Sequence, residues 1–486
     1  MSTGQARADD ASFAPPPLPD AVRHVLGTLI AAGHEAALVG GCLRDLLRGE
    51  VPVDWDVATS APPEAGVELF PDSAWENRFG TVTVRGEGPN PAVEVTTYRI
   101  EGPYADRRRP DEVRWGTSLT DDLSRRDFTI NAIGWVPVDL NAGSGRLVDP
   151  FGGQGDLATG VIRAVGDPDK RIAEDALRLV RAVRFAARFE MEIDKATAAA
   201  IQRHAGLAAG LSGERVRDEL LRILLASPAA QPPSVAFRLM EELGLLAVLL
   251  PELAALRGVP QAKALPGDAL EHSLRTMDAL SPNDPFLRLV GLLHDVGKAS
   301  TLAGGHFYGH ETVGGQMVEA ILRRLAFPHR QIERGARLVR HHMFAYSPEW
   351  TDAAVRRFIR RAGPAILPDL FALRAADNIA SGAQEPYPGG VPELQARVGL
   401  ELASNPLTTR QLAVRGDDLV AALDVPPGPL IGELLRRLLE AVLDDPSLNS
   451  RAKLLELARR WHSEASVVEA SSGDGDGVQQ GDIGQA

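Results

Sequence analysis

The chain has 486 residues, 44% hydrophobic and 24% charged, with a net charge of −13. That length allows about three domains, no apolar run approaches the roughly 18 residues of a membrane span, and the acidic balance excludes a protein held to nucleic acid by its overall charge. Cys42 is the only cysteine, which rules out an intramolecular disulfide and points to a reducing cytoplasm; it reads as a small packed residue.

The opening segment, MSTGQARADDASFAPPPLPD, lacks the apolar core of a signal peptide, and its proline run predicts a disordered lead over 1–18. Residues 19–33 place Val22, Val25, Leu26, Leu29 and Ile30 on one helical face, ended by Gly33. A strand to Val39, a Gly40-Gly41 turn and a short helix through Leu47 lead into a strand carrying Asp54-Trp55-Asp56. Alternate positions of a strand share a face, so Asp54 and Asp56 point one way while Val53, Trp55 and Val57 point the other. Neighbouring carboxylates repel unless a cation lies between them, and the glycines let backbone N–H groups approach a phosphate. The stretch from Leu38 to Thr59 therefore reads as a metal-dependent site for a nucleoside triphosphate.

Two further strands are expected over 80–84 and 92–98. Glu94 sits between valines on the second; it lies either on a solvated face or, if this strand runs beside the Asp54–Asp56 strand, at the metal site as a third carboxylate. Residues 100–120 are polar, rich in Gly, Pro and Arg, and read as a mobile loop. In DDLSRRDFTINA (121–132), Arg126 with Asp127 and Asn131 suits triphosphate oxygens and sugar hydroxyls, because a guanidinium offers several donors in a fixed fork. LVDPFGG (147–153) closes an α/β head.

Residues 167–188 predict one long helix with Asp175, Arg178 and Arg181 spaced by three along one side, followed by Arg184. Such a flank is ordinarily a solvated row of salt bridges. A carboxylate and a guanidinium one turn apart can also meet a base edge if a nucleotide lies there. Ser212 starts a capped helix to Leu225, and from about 235 the pattern is almost wholly helical. There a second constellation occurs: His272, His294-Asp295, His310, His341-His342 and Asp377, imidazoles and carboxylates able to converge on one or two metals. Residues 390–462 read as scaffold helices, and the acidic, Gly-rich end predicts disorder over 466–486.

In this order, LVGGCLRDLL with DWD, DLSRRDFTINA, LVDPFGGQGDL, EDALRLVRAVRFAAR and SGERVRDEL resemble the motifs of bacterial class II tRNA nucleotidyltransferases, the family of CCA-adding enzymes and bacterial poly(A) polymerases. The resemblance covers roughly residues 20–460. It implies an α+β protein: a small nucleotidyltransferase α/β head with a mixed or antiparallel sheet (19–160), then an elongated all-α part. That part comprises a neck with the nucleobase template helix (161–225), a body (226–264), an HD domain (265–385) and a tRNA-binding C-terminal region (386–465). It further implies that Asp54 and Asp56 bind the catalytic Mg2+; Glu94 joins the candidate catalytic residues from its strand position, not from the resemblance. Gly40, Gly41, Arg44, Asp45, Arg126, Asp127 and Asn131 would surround the nucleotide. Asp175 and Arg178, completed by Arg181 and Arg184, would read C and A by their base edges.

ADRRRPDEV resembles the mobile loop of CCA-adding and A-adding members, with Arg107 where a glycine is usual; CC-only members lack it. The histidine constellation resembles an HD phosphohydrolase domain, in which His272, His294, Asp295 and Asp377 would hold an unidentified divalent metal, with His310 and His341 as extra ligands for a two-metal form. The expected partners are a tRNA 3′ end, ATP and CTP, with neither DNA nor a membrane, in the cytoplasm. The alternatives are a poly(A) polymerase or a partial CC- or A-adding enzyme and, in another class, a phosphohydrolase whose head only binds RNA. The acidic tail argues against the polymerase.

Overall fold

The structure, a computed structural model, describes residues 12–13, 15, 17–75, 80–86, 91–101, 113–116, 118–225, 231–261, 263–385 and 390–472. Its head is built on one sheet of eight strands, in the order Ser12–Phe13, Ser144–Val148, Gly134–Asp139, Ala36–Val39, Trp55–Thr59, Val93–Thr97, Thr81–Val84 and Ala74–Trp75. Every neighbouring pair is antiparallel except Trp55–Thr59 with Val93–Thr97, which is parallel, so the sheet is mixed as expected. Both faces are covered. Trp55, Val57, Val93 and Val95 pack with Val22, Val25, Leu26 and Leu29 of the Asp20–Ala31 helix, while Ala37, Val39 and Ala58 pack on the other side with Tyr98, Leu119 and Leu123. Burial on both faces is why the central strands read as apolar runs rather than strict alternation.

Three expectations about the head change. The strand carrying the acids begins only at Trp55; Asp54 lies in the preceding bend and is exposed. Val53 does not face the core but is 82% exposed. Pro52, three residues before the strand start at Trp55, has no N–H for a ladder, which suits a late strand start. The lead is not wholly disordered: Phe13 sits on an edge strand, and its carbonyl accepts the Trp135 indole N–H at 2.9 Å. The ends of the predicted loop pair as a short ribbon, Arg99–Glu101 with Val113–Trp115; Arg107 to Arg109 fall outside the described residues.

Beyond the head the described chain is mainly helical, and one continuous cluster of buried side chains runs from Phe128 to Ala458. The helix expected over 167–188 is two helices, Pro168–Glu174 and Leu177–Phe189. Asp175 separates them in an extended conformation, and its carboxylate accepts the Leu177 backbone N–H at 3.0 Å. Aspartate competes well for the free N–H groups of a helix start, so it restarts the helix instead of continuing it. Asp175 and Arg178 therefore do not stand on one helical flank. The neck helix Gly213–Leu224 follows; Ser212 occupies its cap position, yet its side chain makes no capping hydrogen bond. Helices Ala269–Ala279, Pro285–Leu293, His310–Arg324, His329–His341 and Leu367–Ala380 surround the histidines. The last helix runs from Arg451 to Ser472, further into the acidic end than expected; residues 473–486 are outside the described set.

Candidate functional site

In the head, the parallel pairing sets Asp56 directly beside Glu94. In-register residues on neighbouring strands share a face of the sheet, so Glu94, itself exposed, lies on the same face as Asp56. The Gly40 turn closes over Asp56. Gly40 has φ of 74°, and a Cβ there would lie 3.0 Å from Asp56 Oδ2 and 2.7 Å from Arg126 Nη1. Glycine is thus required both for its left-handed backbone and for the close approach. Asp56 is pushed above the ordinary carboxylate range by burial and by Asp54, against the pull of Arg126, Arg44 and the Gly41 backbone N–H. Arg126 gives Nη2 to Asp122 at 3.2 Å, while its Nε is buried without a hydrogen-bond partner.

These groups fit a hard divalent cation and a phosphate. A half-buried carboxylate with a raised pKa gains from an added positive charge, and an unsatisfied guanidinium N–H gains from an added oxygen. Carboxylate oxygens without nitrogen or sulfur donors suit magnesium.

A chain of polar contacts leads from this turn into the neck. Arg44, buried on the Gly41–Leu47 helix, gives Nε and Nη2 to Asp45 at 2.8 and 2.6 Å and Nη1 to Asn131 at 2.8 Å, with its guanidinium 4.5 Å over the Phe189 ring. Asn131 donates to Asp127 at 3.0 Å, and Arg181 donates Nε to the other Asp127 oxygen at 2.8 Å. Burial alone would raise Asp127, but Arg181 and Asn131 outweigh it and hold the carboxyl well below the usual range. Arg181 also approaches Glu219, which is 1% exposed and takes Arg184 and Arg222. Burial pushes Arg184 down to about 10 despite this partner. The expected residues Arg44, Asp45, Asp127, Asn131, Arg181 and Arg184 therefore do come together, but as a braced network whose donors are largely spent on protein. Glu219, its buried hub, was not anticipated; an acid on the neck helix gives no sequence signal beyond its place among arginines.

At the helix break, Asp175 is held by Arg215 of the neck helix, with Nη2 at 2.8 and 3.0 Å from the two carboxylate oxygens. Arg178 is buried and gives Nη1 to Glu174 at 2.7 Å and Nη2 to the Arg125 carbonyl at 3.1 Å.

The second constellation converges. Asp295 lies 3.2 Å from His294 Nε2, 3.4 Å from His310 Nε2, 3.6 Å from His272 Nε2 and 3.7 Å from His342 Nε2; His272 also reaches Asp377 at 3.0 Å. His342, not His341, belongs to the cluster. His341 ends its helix on the side of Arg337 and Arg340, whereas His342, one residue on, turns about 100° to the face of Leu338 and Val339. That helical phase was the available signal. His294, His310 and His342 each donate Nδ1–H to a backbone carbonyl, of Gly291, Phe307 and Val339, at 2.7 to 2.8 Å. This fixes the tautomer with an Nε2 lone pair directed inward, the arrangement of a metal-ligating imidazole. His294 and His310 Nε2 are buried and lack hydrogen-bond alignment with any partner.

Imidazole with carboxylate suits a first-row transition metal. Among the described residues, the groups with ligand atoms within 4.8 Å of one another are both here: His272, His294 and Asp377, and His294, Asp295 and His342. Three cations flank the centre, none anticipated from the sequence: Lys298 on Asp295 at 2.6 Å, Lys263 on Asp377 at 3.2 Å and Arg374 on Asp377 at 3.1 Å.

Known proteins resemble this chain over most of its length. Residues 36–163 match the model of the poly A polymerase head domain, and 313–458 match a model of tRNA nucleotidyltransferase domain 2. The chain is 36% identical over 448 residues to an A-adding tRNA nucleotidyltransferase of Deinococcus radiodurans, covering 88% of this chain and 96% of that protein. It is 32% identical over 437 residues to a CCA-adding enzyme of Geobacillus sp. strain WCH70, covering 89% and 94%. Among solved structures, the Bacillus stearothermophilus CCA-adding enzyme in complex with CTP superposes with a TM-score of 0.64 at 29% identity, covering 91% of this chain and 98% of that one.

Proposed function

The chain belongs to the tRNA nucleotidyltransferase family, and from that premise we propose that it adds C, C and A to tRNA 3′ ends from CTP and ATP without a nucleic-acid template. The observation that carries this reading is the meeting of Asp56, Glu94, the Gly40–Gly41 turn and the unpartnered Arg126 Nε at one end of the sheet. In the reaction a tRNA 3′ oxygen attacks the α-phosphorus, the α–β bridging P–O bond breaks, pyrophosphate leaves and the hydroxyl proton passes to water. Asp54 and Asp56 would hold magnesium, which supplies charge stabilisation at the attacking and leaving oxygens. Gly40, Gly41 and Arg126 would orient the triphosphate. Asp127 and Asn131, fixed by Arg181 and Arg44, would position the sugar.

C and A share an exocyclic amino group where U and G carry a carbonyl. An acceptor at Asp175 and a donor at Arg178 therefore suit C and A and disfavour U and G. In this reading the head (19–160) does the chemistry, the neck (161–225) selects the base, and the body and C-terminal helices (226–264 and 386–465) grip the tRNA by backbone shape.

The test uses tRNAs ending at the discriminator base, after C and after CC, each with CTP, ATP or both, and sequences the products. Growth that stops at CCA supports the proposal. Extension of the CC end alone selects an A-adding enzyme, the reading favoured by the similarity to the Deinococcus protein. A long A tail selects a poly(A) polymerase.

The histidine centre supports a second activity. His272, His294, Asp295, His310, His342 and Asp377 would hold one or two divalent metals, and Lys263, Lys298 and Arg374 face them as a phosphate-binding rim. A phosphohydrolase acting on a phosphate ester fits this arrangement. Metal-dependent phosphate release that is lost in Asp295→Ala tests it.

A further inference from the structure

The two residues assigned to base reading are held by different partners, and the one that holds Asp175 comes from another helix. Arg215 lies in the first turn of Gly213–Leu224 and meets both Asp175 oxygens; the Leu177 N–H takes a further position on Oδ1. A carboxylate has about four lone-pair sites, so these contacts leave little more than one direction open. Both side chains of the pair are about one-fifth exposed, which puts them at a rim that an incoming base can reach.

The position of Arg215 is itself fixed from behind. A Cβ on Gly213 would lie 2.1 Å from the Arg324 carbonyl oxygen, so the helix start is pressed against the turn that joins His310–Arg324 to His329–His341. Arg217 gives Nη1 to the Ala326 carbonyl at 2.6 Å and lies 5.8 Å over the Phe327 ring. Ala326 holds a left-handed backbone, φ 54°. The neck helix can neither slide nor turn there without losing these contacts.

We propose that Arg215 is a specificity-positioning residue. It orients Asp175 so that the carboxylate's remaining acceptor direction meets an exocyclic amino group, and the turn at Arg324–Phe327 is its footing. This rests on the template reading of Asp175 and Arg178. Without Arg215 the carboxylate rotates and accepts equally from the ring N–H of U or G, so selection relaxes while triphosphate binding, which uses the head, is retained.

The experiment measures kcat/KM for CTP against UTP, or ATP against GTP, on whichever tRNA end the full-length enzyme extends. It compares the unaltered protein with Arg215→Ala, Arg215→Lys, Arg217→Ala and Arg178→Ala, with a melting curve for each. The expected result for Arg215→Ala is a roughly ten- to hundredfold loss of discrimination, the scale of one bidentate base contact, with KM for the correct nucleotide changed far less. Arg215→Lys restores part of the discrimination, and Arg217→Ala relaxes it in the same direction by less. Discrimination lost in Arg178→Ala but kept in Arg215→Ala overturns the proposal. Discrimination kept in Arg178→Ala overturns the template reading beneath it. If Arg215→Ala does not fold, Arg215→Lys decides: full discrimination with the guanidinium Nη2 removed from its place between the two Asp175 oxygens counts against the proposal.

Discussion

Asp56 and Glu94 stand side by side on the one parallel strand pair of the head sheet, in register. Burial and Asp54 disfavour the charged form of Asp56 in the fold. A group whose folded pKa is raised costs stability above its unfolded pKa and regains it in acid. Asp56→Asn is therefore expected to reduce nucleotide incorporation to background without lowering the melting temperature at pH 7. Asp54→Ala is expected to do the same to activity. Near-normal incorporation by either variant removes the catalytic assignment. Glu94→Gln should lower turnover while leaving CTP affinity in place; unchanged turnover would make Glu94 a bystander.

Gly40 is constrained twice, by φ of 74° and by Arg126 and Asp56 at its missing side chain. With ψ of −138° Gly40 sits in a sparsely populated backbone region that costs a non-glycine residue about 1–3 kcal/mol, and the close approach to Arg126 adds to it. Gly40→Ala should lower stability to denaturant by at least that amount and displace Arg126 from Asp56, so that KM for the nucleotide rises with the fall in kcat. Wild-type kinetics in this variant would show that the turn does not shape the site.

What the sequence made legible was local. The Gly-Gly turn, the acids after it and the order of the motifs could be read because each depends on near neighbours. Glu94 could not be settled, since its place depends on a parallel pairing between strands some forty residues apart. The break at Asp175 was hidden by good helical periodicity on either side, where one carboxylate capping Leu177 overrides the pattern. Glu219 and Arg215 were missed because their partners lie on other helices, so their roles exist only after packing.

Asp127 gives a pH prediction. Its carboxyl is held low by Arg181 and Asn131 against the effect of burial. A depressed folded pKa contributes stability above the unfolded value, near pH 4, and loses it as the pH falls toward the folded value. Asp127→Asn should therefore be less stable than the unaltered protein by an amount constant from pH 8 to about pH 5, and the gap should narrow below about pH 4. Its size at neutral pH should not exceed the roughly 3–5 kcal/mol of breaking a buried pair, because Arg181 keeps Glu219 as a neighbour. Paired denaturation curves across this range check both size and sign; a gap that widens in acid would contradict the assignment.

The adjacent pair His341 and His342 separates the metal reading of the histidine centre from a merely packed cluster. His342 donates Nδ1–H to Val339 and aims Nε2 at Asp295, beside the rings of His294 and His310. His341 is half-buried on the other side, where burial and the charges of Arg337, Arg340 and Arg361 push its pKa down and leave it no part in the cluster. His342→Ala should lose bound metal, measured by elemental analysis of the purified protein, and should no longer gain thermal stability when divalent metal is added. His341→Ala should keep both. Nucleotide incorporation should survive in His342→Ala, because the carboxylates and arginines of the head are on a different part of the fold. If both variants carry as much metal as the unaltered protein, the imidazoles only pack, and the phosphate-ester reading of this centre falls with them.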